Sequence, residues 1–139
     1  MKRTLSSSQI QEYATANVWH QREEAAEQTK SEKLLRHLAQ DTCWVVRVAV
    51  ARNKHTPLDV SIHFLTDIDM LVRDAAQKID FPADMLAGLA NNRSAYVRKE
   101  AAQNRMTDIS TLVKLTTDRA KTVREIAVER LAALQPVAA

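Results

Sequence analysis

Glycine is nearly absent from this chain. Gly88 is the only one in 139 residues. That excludes phosphate loops of the Walker A and Rossmann types, which need several glycines for close backbone approach. Cysteine is equally scarce. Cys43 stands alone, which excludes an internal disulfide framework and any cage of several thiolates around zinc or an iron–sulfur cluster. No apolar run approaches the roughly 18–20 residues of a membrane span, and MKRTLSSSQIQEY lacks a hydrophobic signal core. A cytoplasmic protein with no membrane partner is therefore expected. Aromatic residues make up 4% and proline occurs three times. So little Gly and Pro, beside 21 Ala and 13 Leu, predicts helices.

What is present suits a packed, charged-surfaced protein. The chain is 45% hydrophobic and 27% charged, and its length matches one domain. The net charge is +3 and the pI about 9.2. Residues 1–33 are neutral on balance, so the whole excess lies in residues 34–139. This mild bias permits nucleic acid or an acidic protein as partner and compels neither.

An internal repeat is the strongest signal. Val-Arg recurs at Val46-Arg47, Val72-Arg73, Val97-Arg98 and Val123-Arg124, at intervals of 26, 25 and 26 residues. Six residues before each arginine stand Asp41, Asp67, Asn92 and Asp118. Nine before stand Leu38, Phe64, Leu89 and Leu115, and three after stand Val50, Ala76, Ala101 and Ala127. Each unit reads as helix–turn–helix. Thr56-Pro57-Leu58-Asp59 predicts a helix start with Thr56 as cap, and Thr107-Asp108 takes the same role. A first helix spans about Pro57 to Leu65, and a second about Met70 to Ile79. Such a unit cannot bury its apolar face alone, so neighbours must stack. The expected domain is an N-terminal helical cap, residues 1–30, followed by four repeats at about 31–55, 56–80, 81–105 and 106–135 within 31–139.

The turn acids and helix arginines predict a structural ladder: Asp41 and Arg47, Asp67 and Arg73, Asn92 and Arg98, Asp118 and Arg124. The carboxylate faces free N–H groups at the helix start. The guanidinium bridges to the acid of its own unit or of an adjacent one. Asn92 removes the charge from one rung and keeps the acceptor.

On these residues the chain resembles the leucine-rich repeat variant, a short relative of HEAT and armadillo repeats. The features that carry the resemblance are Val46-Arg47, Asn53, Thr56-Pro57, Leu58, Leu65, Asp67 and Val72-Arg73, with Asn104 matching Asn53. It covers roughly residues 31–135. It implies an all-α fold, a right-handed α-solenoid of alternating helices, some of them 3₁₀. The family's founding type carries an N-terminal iron–sulfur cluster held by several cysteines. With Cys43 alone the cluster is not carried over, and no cofactor is expected.

The ends differ. Residues 1–6 read as frayed, and Ser8 with Gln11 predicts a capping box. One or two helices follow to about Thr29, broken near Asn17, serving as a cap or as a docking helix. The last unit runs through Leu131 and Leu134 to Pro136, and Val137-Ala138-Ala139 form a loose tail.

Candidates for chemistry are few. His20, His37, His55 and His63 lack the i, i+4 ligand spacing, so no metal site is expected. Cys43 has no partner base in the sequence. Asp67 belongs to the ladder, Asp69 reads as a turn residue, and Glu23-Glu24 as a solvated helix face. No nucleophile, paired acid or metal motif points to an enzyme. Trp44 stands where other units carry Met70, Ala95 and Lys121. It either packs on the N-terminal segment, against Trp19 or Tyr13, or anchors a partner.

Positions one and five after each arginine are expected to point outward. They are Val48 and Arg52, Asp74 and Lys78, Lys99 and Gln103, Glu125 and Glu129. The expected function is a non-catalytic binding or adaptor protein that recognises another protein, with Trp44, Arg52, Lys78, Lys99 and Gln103 as contact residues. The alternative is DNA binding through Arg52, Lys54, Lys78, Arg93, Lys99, Arg105, Lys114, Arg119 and Lys121.

Overall fold

The computed structural model describes residues 2–135. Among them the fold is all-α, with ten α-helices and no strand. In order these are α1 (Ser7–Ala14), α2 (Trp19–Gln28), α3 (Glu32–Leu38), α4 (Trp44–Arg52), α5 (Leu58–Ser61), α6 (Met70–Gln77), α7 (Ala83–Leu89), α8 (Ala95–Gln103), α9 (Ile109–Leu115) and α10 (Lys121–Leu134). A 3₁₀ segment, Ile62–Thr66, continues α5. The chain divides into two compact units, Met1–Ile79 and Asp80–Ala139.

Short polar residues set the helix starts. Ser6 accepts from the Gln9 N–H while Gln9 returns a bond to the Ser6 N–H. The capping box is thus two residues earlier than the expected Ser8–Gln11 pair. Ser31, Asp69 and Asp108 cap α3, α6 and α9 in the same way. Residues 2–6 are not frayed: Leu5 is buried, its N–H donates to Gln28, and Lys2 bonds Glu27. The break near Asn17 lies between α1 and α2. The predicted end at Pro136 and the tail Val137-Ala138-Ala139 lie outside the described residues.

The recurring apolar columns form the cores. In the unit Met1–Ile79, α4 packs on α2 and on α6, and Leu35, Leu38, Val46, Val50, Leu65, Val72 and Ala76 are buried. In the unit Asp80–Ala139, α10 packs on α8 and α9. Its centre is Ala101, Ala102, Leu115, Val123 and Ala127, with Leu89 at the margin. Alanine three residues after the arginine keeps adjacent helices close.

The arginines order the turns in a manner the sequence left open. Each donates through Nη1 to a backbone carbonyl six residues earlier: Arg47 to Asp41, Arg73 to Asp67, Arg98 to Asn92 and Arg124 to Asp118, at 2.7–2.9 Å. Arg22 does the same to Ala16 at 2.8 Å. The carboxylate comes from the following turn, in fork geometry. Arg22 pairs with Asp41 (2.7 Å), Arg47 with Asp67 (2.9 Å) and Arg98 with Asp118 (2.8 Å). So Arg22 on α2 repeats the bonding of the later arginines.

The turn acids also accept a backbone N–H two residues on. Asp41 bonds Cys43, Asp67 bonds Asp69, Asn92 bonds Ser94 and Asp118 bonds Ala120, at 2.8–2.9 Å. Those four residues are the N-caps of α4, α6, α8 and α10. The acid therefore fixes the approach to the helix rather than capping it.

A second set of bonds seals helix C-termini, whose last carbonyls lack intrahelical partners. Asn53 donates to the Ala26 and Thr29 carbonyls at 2.8 Å. Arg130, 26 residues beyond Asn104, reaches the Ala102 and Asn104 carbonyls. Thr56 and Thr107 are buried and donate back to Val50 and Ala101. This corrects the expected capping role of both threonines: Pro57 and Asp108 hold the N-cap positions.

Burial and bonding act in opposition on the ladder acids. Burial alone pushes the Asp41 and Asp67 carboxyls up. The bonds from Arg22 and Arg47, with the N–H groups of Cys43 and Asp69, hold both below the ordinary value of 3.8. For Asp118 the bond from Arg98 dominates and lowers it too. A lowered folded value gives stability that is complete above 3.8 and lost as pH falls through the folded values. Urea midpoints are therefore expected to be flat from about pH 7 to 5 and to fall below about pH 4, less steeply in Asp67→Asn.

The two kinds of ion pair should differ sharply. The Arg47–Asp67 side chains are 12% and 11% exposed, those of Arg36 and Asp59 44% and 64%. Asp67→Ala strands a largely buried guanidinium and is expected to cost about 2 kcal/mol in urea unfolding. Asp59→Ala should leave the midpoint unchanged.

Candidate functional site

The helices that carry the arginines also carry exposed apolar side chains. In the unit Met1–Ile79 these are α2, α4 and α6. Three residues before the arginines stand Trp19, Trp44 and Met70, exposed by 47%, 41% and 61%. Leu71 adds another exposed apolar side chain on α6. Single exposed apolar residues need no explanation, but four on three helices that pack in sequence do.

Trp44 forms one wall of a cleft of about 340 Å³. Val45, Val48 and Ala49 of α4 line it, with Leu71 from α6 and Glu23 and Glu27 from α2. Arg52 and Asn53 close its far end. Glu23 and Glu27 are one helical turn apart, so both face the cleft. Glu27 is paired with Lys2, and Arg52 carries no ion pair among the described residues.

The predicted contact residues are not equivalent. Trp44 and Arg52 share this cleft. Lys78 is exposed just beyond the end of α6. Lys99 and Gln103 lie on α8 in the other unit, where Lys99 sits over the Tyr96 ring at 5.9 Å. Val48 is corrected: it is buried at 8% exposure and contributes to the cleft wall. Trp44 makes no ring contact with Trp19 or Tyr13 among the described residues; Trp19 meets His20 edge-on and Tyr13 lies beneath Arg3.

Sequence reasoning missed Glu23, Glu27 and Leu71 in the cleft lining and the exposed Trp19 on α2. Trp19 occupies the Trp44 column, visible once Arg22 is aligned 25 residues before Arg47. Glu23 follows from the same alignment. Leu71 gave no signal, because the residue after the column varies from Val45 to Leu71 to Tyr96.

Several basic residues offered for DNA contact are engaged elsewhere. Arg105 bonds Asp80, Lys114 bonds Asn91, Arg119 bonds the Arg93 carbonyl, and Lys121 lies 3.6 Å from Glu125. His20, His37, His55 and His63 are all exposed, and no group of three His, Cys, Asp or Glu among the described residues can hold a metal ion. Cys43 is half-buried at the start of α4. Among the described residues, no helix is long and apolar enough to cross a membrane.

No protein-family model matches the chain, and no curated protein matches it. The site is read from its own chemistry: an apolar floor, an indole rim, and charges of both signs at separate places.

Half-exposed indoles report on this arrangement directly. Single-tryptophan variants Trp19→Phe and Trp44→Phe are each expected to emit at long wavelength and to be quenched readily by acrylamide. A blue-shifted, protected Trp44 would instead place its ring in the core.

Proposed function

We propose that this chain is a non-catalytic helical-repeat binding protein that recognises another protein through the α2, α4 and α6 face. In this reading the units are leucine-rich-variant or HEAT-like repeats, about four of 25–26 residues, stacked as a right-handed α-solenoid. The recurring Arg-to-carbonyl bond, repeated from Arg22 to Arg124, supports the repeat reading. The binding reading rests on one observation: Trp44 and Leu71 stay exposed in a cleft that Arg52 also lines, with Trp19 and Met70 exposed on the same three helices. Aromatic and arginine side chains are the residue types that dominate protein–protein affinity when a partner buries them.

DNA binding is the second reading, favoured by the unpaired Arg52 and Lys54. Scarce aromatics and the engaged cations of the other unit weigh against it. Affinity capture from native lysate, with and without nuclease, separates the two. A captured protein is expected to survive nuclease and to be lost with Trp44→Ala plus Arg52→Glu. Loss on nuclease treatment, with the double variant behaving as wild type, would contradict the proposal.

A further inference from the structure

The cleft beside Trp44 does not end at Arg52. A second cleft of about 370 Å³ shares Glu27, Arg52 and Asn53 with it and extends along Lys30, Lys54 and His55. Both lie within the unit Met1–Ile79. At these shared residues the two clefts adjoin, as two halves of a groove with different chemistries. One half is lined by the apolar side chains of Trp44, Val45, Val48, Ala49 and Leu71. The other half is basic: Lys30, Arg52, Lys54 and His55 are exposed, and the three permanent cations have no ion pair among the described residues. Its one acid, Glu27, is already matched by Lys2 at 2.7 Å.

We propose that this groove takes a peptide segment of a partner protein presenting one bulky apolar side chain next to a run of acidic residues. The inference deepens the protein-binding reading above and rests on it. The apolar half gains by covering surface that now faces water. The basic half gains by placing carboxylates against three cations that line one cleft, an attraction that salt screens. Charge also selects the kind of polymer. Glu23 lines the apolar half and carries no ion pair among the described residues. A nucleic-acid strand carries a phosphate at every nucleotide and would set one against Glu23. A peptide can confine its carboxylates to the basic half.

The test uses the whole chain and a phage-displayed library of random short peptides, with the selected sequences resynthesised for fluorescence anisotropy. The enriched peptides are expected to couple an aromatic or aliphatic residue to consecutive Asp or Glu. Their affinity should fall at least about tenfold with Trp44→Ala and with Lys30→Glu plus Lys54→Glu, and should weaken with salt. All these substitutions are at exposed side chains, and circular dichroism checks that the fold is kept. Peptides that need Trp44, lack acids and ignore Lys30 and Lys54 would overturn this inference while leaving the binding reading intact. Failure to select any peptide that depends on Trp44 would overturn both. A single-stranded oligothymidine that binds more tightly and displaces the peptides would overturn the acidic-peptide assignment in favour of nucleic acid.

Discussion

A guanidinium held out of water organises this molecule. Each such arginine is fastened first to its own turn, through the carbonyl six residues back. The next turn then supplies a carboxylate in fork geometry, as Asp41, Asp67 and Asp118 do. Lysine cannot replace it, because one ammonium has no planar fork to satisfy two oxygens and a carbonyl together. The arrangement joins neighbours that are individually too small to fold. A short helix pair buries little apolar area, and the entropy of ordering it needs the added contacts of the next pair. Because the acid also orders the approach to the following helix, one side chain connects two levels: helix start and helix packing.

The same geometry explains what the sequence revealed and what it concealed. The Val-Arg spacing, the turn acid and the small residue three positions on were all legible, since each is a position where only a few residue types work. Arg22 was concealed because Gln21 replaces the valine and Ala16 the acid. Ala16 supplies only its carbonyl, which any residue can do. The threonines misled for a related reason. Thr56 precedes a proline and reads as a cap that accepts from the next helix, yet its hydroxyl instead donates to the Val50 carbonyl of the preceding helix. Val48 points outward on α4 taken alone, whereas α2 and α6 both pack against α4 and Val48 is buried. The surface was least legible. Exposure of Trp19 and Leu71 depends on which neighbours reach them, and a single helix does not contain that information.

Repetition also divides labour along each helix. Columns bound to the ladder, the C-terminal seals and the core are fixed by packing. The column holding Trp19, Trp44 and Met70 bears no such duty: all three stay exposed. Those are the places where a repeated scaffold can differ from unit to unit and so acquire specificity. Asn92 shows a different freedom: it keeps the turn bond to Ser94 and the carbonyl bond to Arg98 while giving up the charge.

The central claim is that the ladder guanidiniums are immobilised and shielded while other arginines are not. Nitrogen-15 NMR of arginine Nε–H groups tests it most directly, by reading solvent exchange at each side chain. Slow exchange for Arg22, Arg47 and Arg98, with Arg52 averaged out by rapid exchange, is the result this account requires. Equal exchange at all four would mean that the rungs do not hold the helices, and the account would fail.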